Sequence, residues 1–151
     1  MDQINTALRR IPAWPIYLCG LGWAGWLFWL ALSGQGKFST EPINVLERAY
    51  GEVALQLLVA GLAVTPLRRW PGLNLIKFRR ALGVTAFGFV LAHFLVFAIL
   101  DVQSLERVWT EVIKRPYVTV GTAAFVMLVP LAATSNNAMV RRLGALRWRR
   151  L

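Results

Sequence analysis

"ALGVTAFGFVLAHFLVFAIL", Ala81 to Leu100, runs between Arg80 and Asp101 without a single charged residue. A helix needs ~20 apolar residues to cross the ~30 Å hydrocarbon core of a bilayer, so this stretch is long enough to span one. In hydrocarbon every backbone N–H and C=O must find its partner inside the segment, which selects a helix over an open strand.

Three further apolar windows lie outward from it: Trp14–Ser33, Val53–Leu67 and Tyr117–Thr134. The second reaches spanning length only with Tyr50 to Glu52 at its interface. The chain is 57% hydrophobic and 16% charged, against about a quarter charged in soluble domains. Its apolar residues stand in long blocks, without amphipathic spacing. The expected fold is an all-α integral membrane protein with four transmembrane helices, at about 14–33, 50–67, 81–100 and 117–134. The first window is longer than a signal-peptide core, and "GWAGWLFWL" is too bulky for a small-residue cleavage site, so it reads as a retained helix.

Charge predicts the orientation. The N-terminal Arg9 and Arg10, the loop residues Arg68, Arg69, Lys77, Arg79 and Arg80, and the C-terminal Arg141, Arg142, Arg147, Arg149 and Arg150 all fall on one side of such a bundle. The other side holds Lys37, Arg48, Arg107, Lys114 and Arg115 with six of the seven acids. Lys and Arg in short loops mark the cytoplasmic face, which puts both termini inside. The net charge of +10 is thus laid out as topology. It argues for contact with anionic membrane lipid and against nucleic acid, because apolar helices separate the basic clusters. Trp14, Tyr17, Trp29, Tyr50, Trp70, Trp109 and Tyr117 fall near predicted interfaces, where amphipathic rings prefer to sit. Cys19 is alone, so no intrachain disulfide is possible, and a small buried residue is its expected role.

His93 is the chain's one histidine, and it lies inside the deciding stretch. Ionisable residues within membranes are costly and by default functional. Counted from Leu100, His93 is ~10 Å below the outer boundary. Three readings stand: a packed neutral imidazole donating to a carbonyl on a neighbouring helix, a metal or haem ligand, and a proton relay. A relay normally chains several ionisable groups, and here only Glu52 and Gln56 are near. Gly83 and Gly88 thin the same helix, and Phe89, Phe94 and Phe97 offer apolar walls, a texture that suits a flat macrocycle and plain packing alike. Arg79 and Arg80 open the helix, Arg80 thirteen residues before His93. They suit a haem propionate, a flavin phosphate or a quinone carbonyl, or simple positive-inside anchoring.

The stretches "ERAYGEVALQLLVAGLAVTPLRRW", "RRALGVTAFGFVLAHFLVFAILD", "KRPYVTVGTAAFVMLVPLAATSNNAMVRRLG" and "LRWRRL" resemble, in order and approximate spacing, the MsrQ (YedZ-like) family of the ferric-reductase-like transmembrane superfamily. The resemblance covers most of the chain from Glu47 onward and implies one such domain over residues 1–151. MsrQ-like proteins are haem-binding membrane subunits of bacterial methionine sulfoxide reductase systems. What the resemblance implies is a multi-pass inner-membrane protein carrying haem b on histidine ligands and associated with FMN. It would take electrons from the quinone pool and pass them to a periplasmic MsrP-like molybdenum reductase subunit. That partner, and no residue here, reduces methionine sulfoxide in oxidised proteins. His93 matches the family's haem ligand, and Arg79 and Arg80 become candidates for cofactor contact.

The sequence also departs from the family. MsrQ proteins have about six membrane helices and further histidines beyond the "RRLG…RW" segment. This chain stops at Leu151 with no second imidazole, which reads as a C-terminally truncated six-helix bundle. Met127, near mid-depth in the last window, could in principle be an axial thioether, since Met/His ligation of haem is known chemistry. Two other classes stay open: a non-catalytic membrane anchor or assembly subunit, in which His93 is a packed polar residue, and a small transporter.

Overall fold

The computed structural model describes residues 8, 10–69 and 75–135. Arg9, Trp70, Arg141, Arg142, Arg147, Arg149, Arg150 and the matched stretches "NNAMVRRLG" and "LRWRRL" lie outside the described residues.

Among the described residues all regular structure is helical. The order is α1 (Trp14–Ser33), a 3-10 turn (Gly36–Phe38), α2 (Pro42–Arg69), α3 (Ile76–Leu95) running on into a π-helical turn (Val96–Asp101), α4 (Leu105–Lys114) and α5 (Pro116–Thr134). Four of these spans, α1, α2, α3 with its π turn, and α5, are long and apolar enough to cross a membrane. This is an all-helical membrane protein.

Local sequence sets the ends. Proline stands in the first turn of α1, α2 and α5, where its missing N–H costs nothing and its fixed φ suits the helix. Gly34 closes α1 at φ 62°, the left-handed conformation a glycine adopts without a Cβ penalty. Gln103 takes φ 57° just past the π turn, an unusual place for a side chain.

α2 and α3 form the central pair. Leu46, Tyr50 and Ala54, at successive helical turns, are buried against Phe89 of α3, Val96 of the π turn and Phe38 of the 3-10 turn. Neither α1 nor α5 has a buried residue; they flank the pair and leave their outer faces, Cys19 among them, to the surroundings. Two contacts dock α1. The Tyr50 hydroxyl donates to the Ala24 carbonyl at 2.9 Å, and Gly20 sits so close to Thr85 that a Cβ there would collide with the Thr85 methyl. α5 is docked by Phe125, whose ring stacks on Phe94 and Phe87 with centroids 4.9 and 6.1 Å apart. The short α4 tucks Val108 inward and exposes Trp109 and Ile113, and its Val112 carbonyl accepts from the Thr119 hydroxyl of α5.

The structure differs from the sequence reading in several places. α2 begins at Pro42, about two turns ahead of the expected helix start at residue 50, because Leu46 and Tyr50 continue its buried face through Glu47 and Arg48. Tyr50 is buried within the bundle, 5% exposed, and ties α1 to α2. Glu52 and Gln56 lie exposed, turned away from the bundle. Cys19 is exposed, not buried. Gly83 and Gly88 face open space, whereas the glycines in close contact are Gly20 and Gly51.

Candidate functional site

His93 sits in the last α-helical turn of α3, just before the π turn. Its Nδ1 lies 2.8 Å from the backbone oxygen of Glu47 in α2. A carbonyl oxygen only accepts, so Nδ1 must carry the proton in this contact. The lone pair of the neutral ring then belongs to Nε2. Among the described residues Nε2 has no hydrogen-bond partner, and it is not a sealed-in orphan either, since the buried unpaired side-chain atom found there is Thr85 Oγ1. Gly51 makes the contact possible. A Cβ at Gly51 would stand 3.2 Å from His93 Nδ1 and 3.4 Å from Cε1, so a larger residue would push the imidazole off the carbonyl.

His93 lines a cavity of 590 Å³ between α2, α3 and α5, within the ~300–1,000 Å³ typical of small-molecule and cofactor sites. α2 contributes Asn44, Glu47, Arg48, Gly51, Ala54, Leu55 and Leu58, which recur on one helical face. α3 contributes Val90, His93, Phe94 and Phe97, and the π turn brings Asp101 onto the same face. Pi-helical turns of this kind are frequent at functional sites. Tyr117, Val118, Gly121, Thr122 and Phe125 of α5 form the third wall, with Arg115 before them. The lining divides by chemistry into an apolar, aromatic interior and a polar lip of Asn44, Glu47, Arg48, Asp101, Arg115 and Tyr117.

Arg115 is held in place on that lip. Its Nε is 2.6 Å from Glu111 Oε2, and its Nη1 donates to the Tyr117 hydroxyl at 2.9 Å. The Tyr117 hydrogen bond, and then the Glu111 carboxylate, hold its pKa above the ordinary arginine value, so the guanidinium is charged throughout.

Of the residues singled out in the sequence, the cavity collects His93, Phe94 and Phe97. Arg79 and Arg80 are not brought to it. They are exposed at the start of α3, ~20 Å along the axis from His93 at 1.5 Å per residue, and Arg80 is engaged in a contact of its own there. Met127 is 71% exposed and is not among the cavity residues, so it is no axial partner for His93 within this chain. Sequence reasoning missed Glu47, Gly51 and Arg115. A carbonyl contact across 46 positions leaves no trace in residue type, but the 3–4 spacing of Asn44, Glu47, Arg48, Gly51, Ala54, Leu55 and Leu58 does mark one face of α2.

The donor set can be tested against a haem. Among the described residues no group of three or more His, Cys, Asp and Glu could hold a metal ion. Metal-ligating histidines almost always donate their other ring N–H to a carbonyl or carboxylate, as His93 does. An apolar interior, a single available imidazole nitrogen and a lip bearing cations fit one face of a macrocycle that has a hydrophobic body and acidic side chains.

A multi-pass helical bundle with an imidazole presented to a cofactor-sized cavity is the class of protein that fold and site define. Residues 48–151 match the model of the ferric reductase like transmembrane component, and the chain belongs to that family. It is 45% identical over 146 residues to the protein-methionine-sulfoxide reductase heme-binding subunit MsrQ of Agrobacterium fabrum, a match covering 95% of this chain and 66% of that protein. The subunits of the same description from Brucella ovis and Brucella melitensis are 40% identical over 136 residues, 89% of this chain and 60% of theirs. The chain thus spans about two thirds or less of the length of the curated relatives it matches. No solved structure matches.

Proposed function

We propose that the α2–α3–α5 cavity would hold a b-type haem, with His93 Nε2 as the residue that would ligate its iron, and that the chain serves as a membrane electron-transfer subunit. The observation that carries the reading is the pairing of the His93–Glu47 carbonyl bond with the open cavity beside it. A merely packed histidine, the anchor reading, would make the same backbone bond, but nothing in that reading calls for 590 Å³ of space against the ring. The MsrQ relatives at 40–45% identity are named for haem binding, which supports the same choice.

In this proposal the chain's own residues do three things. The Glu47 carbonyl fixes the imidazole tautomer and leaves the Nε2 lone pair available. Phe94, Phe97, Leu55 and Leu58 exclude water from the ring. Gly51 keeps the imidazole seated. Bound iron supplies one-electron Fe(III)/Fe(II) cycling. On the charge pattern, the termini lie on the cytoplasmic side of a bacterial inner membrane, and His93 then falls in the outer half. The acceptor is an MsrP-like periplasmic methionine sulfoxide reductase subunit, and the donor is the quinone pool. Arg79 and Arg80 are assigned to the donor side, as positive-inside anchors and as contacts for an anionic group such as an FMN phosphate. That donor-side assignment, like FMN itself, rests on the resemblance.

The test is an absorption spectrum of the detergent-purified chain, oxidised and then reduced with dithionite, beside His93→Ala. A Soret band with sharpened visible bands on reduction, lost in the variant, is the expected result. A band of equal strength in His93→Ala would end the proposal.

A further inference from the structure

The cavity has a polar edge as well as an apolar body, and the cations on that edge come from separate elements. Arg48 projects from α2, and Arg115 stands between α4 and α5; both line the cavity. Among the described residues they are the cations that line the cavity. The remaining polar groups there are not substitutes. Asn44 Nδ2 already donates to Glu41 Oε2 at 2.9 Å, and Glu47 and Asp101 are acids that repel an anion. Arg115 is oriented in advance, since Glu111 occupies its Nε and Tyr117 its Nη1, leaving Nη2 for a second acceptor. An amphipathic ligand must enter with its apolar body among Leu55, Leu58 and Phe125 and its charged edge at the lip.

We propose that Arg48 and Arg115 are the donors that would receive the two carboxylates of the macrocycle. The inference rests on the reading of His93 as the iron ligand, and it assigns the acid-binding role to this end of α3, not to Arg79 and Arg80. Guanidinium suits the task because its fork of N–H donors matches a carboxylate and keeps its charge at any working pH. Asp101 acts in the opposite direction. With both arginines neutralised, Glu47 and Asp101 would leave the lip with uncompensated negative charge.

The experiment titrates the purified full chain in detergent with haem b and, separately, with its dimethyl ester, in which both carboxylates are masked. Soret absorbance reports binding. Wild type is expected to prefer the free acid by about tenfold or more, the equivalent of one charge-assisted hydrogen bond or better. Arg48→Gln/Arg115→Gln is expected to lose that preference while still binding the ester through His93. Asp101→Asn is expected to increase the preference. Circular dichroism of each variant checks that the helices are retained. If the double variant keeps the wild-type preference, or wild type has none, the clamp is wrong and the His93 reading survives. If wild type binds neither form, the His93 reading fails and takes the clamp with it.

Discussion

The two ends of α3 are built from the same kind of apolar helix and yet do different things. At the His93 end α2 and α5 stand apart enough to leave a cavity, a glycine lets the imidazole reach a backbone carbonyl, and charged groups of both signs gather at the lip. At the Arg79–Arg80 end those two arginines are exposed, and none of the described residues there contributes to that cavity. Charge density alone would have favoured the basic end as the site. What distinguishes the His93 end is space beside a fixed donor atom, which depends on three helices converging and not on how many charges one of them carries.

The comparison can be broken most sharply at the glycines. Gly51→Leu puts a side chain into the His93 ring, and its haem content after purification is expected to fall about tenfold, the change that ~1.4 kcal/mol of lost binding produces. Gly83→Leu and Gly88→Leu, which face open space, should retain haem at the wild-type level; pyridine haemochrome assay of the three variants decides it. A smaller effect is expected at the α1 contact. Gly20→Ala should destabilise the bundle by about 1–3 kcal/mol, the usual cost of overpacking, seen as a lower melting temperature by circular dichroism. Smaller again, Thr85→Val keeps the shape but removes a buried hydroxyl without a partner, and should raise stability by about 1 kcal/mol in the same melt. At the opposite end, Arg79→Gln/Arg80→Gln should leave the position and intensity of the Soret band unchanged. A weakened band there would move the haem site away from the cavity described above.

Much of this architecture was legible in the sequence, for a physical reason. Spanning a bilayer demands length and apolarity at every position of a segment, so α1, α3 and α5 are written in composition alone. The start of α2 was hidden because Glu47, Arg48 and Glu52 read as an interface. In the structure only one face of that segment is buried, through Leu46 and Tyr50, so the charges need not end the helix. α4 was missed for a related reason: its inward residues Val108 and Val112, four apart, are a short amphipathic signal beside long apolar ones. His93 was conspicuous as a lone ionisable group in oil. Its partner was not, because the partner is the Glu47 backbone, and any residue type offers a carbonyl. Gly51 was equally silent. Glycine content suggested Gly83 and Gly88, but only a third dimension shows which glycine another helix approaches.

The central claim is that Nε2 of His93, at this point in this cavity, holds iron. The most direct measurement is ligand rescue: His93→Gly is purified with added haem, and the Soret and reduced visible bands are followed as free imidazole is titrated in. The account predicts that the variant alone lacks the bands and that imidazole, entering the space the side chain vacated, restores them. Wild-type bands in His93→Gly without imidazole, or a loss that imidazole at any concentration fails to reverse in a protein that still shows its helical circular dichroism, would contradict it.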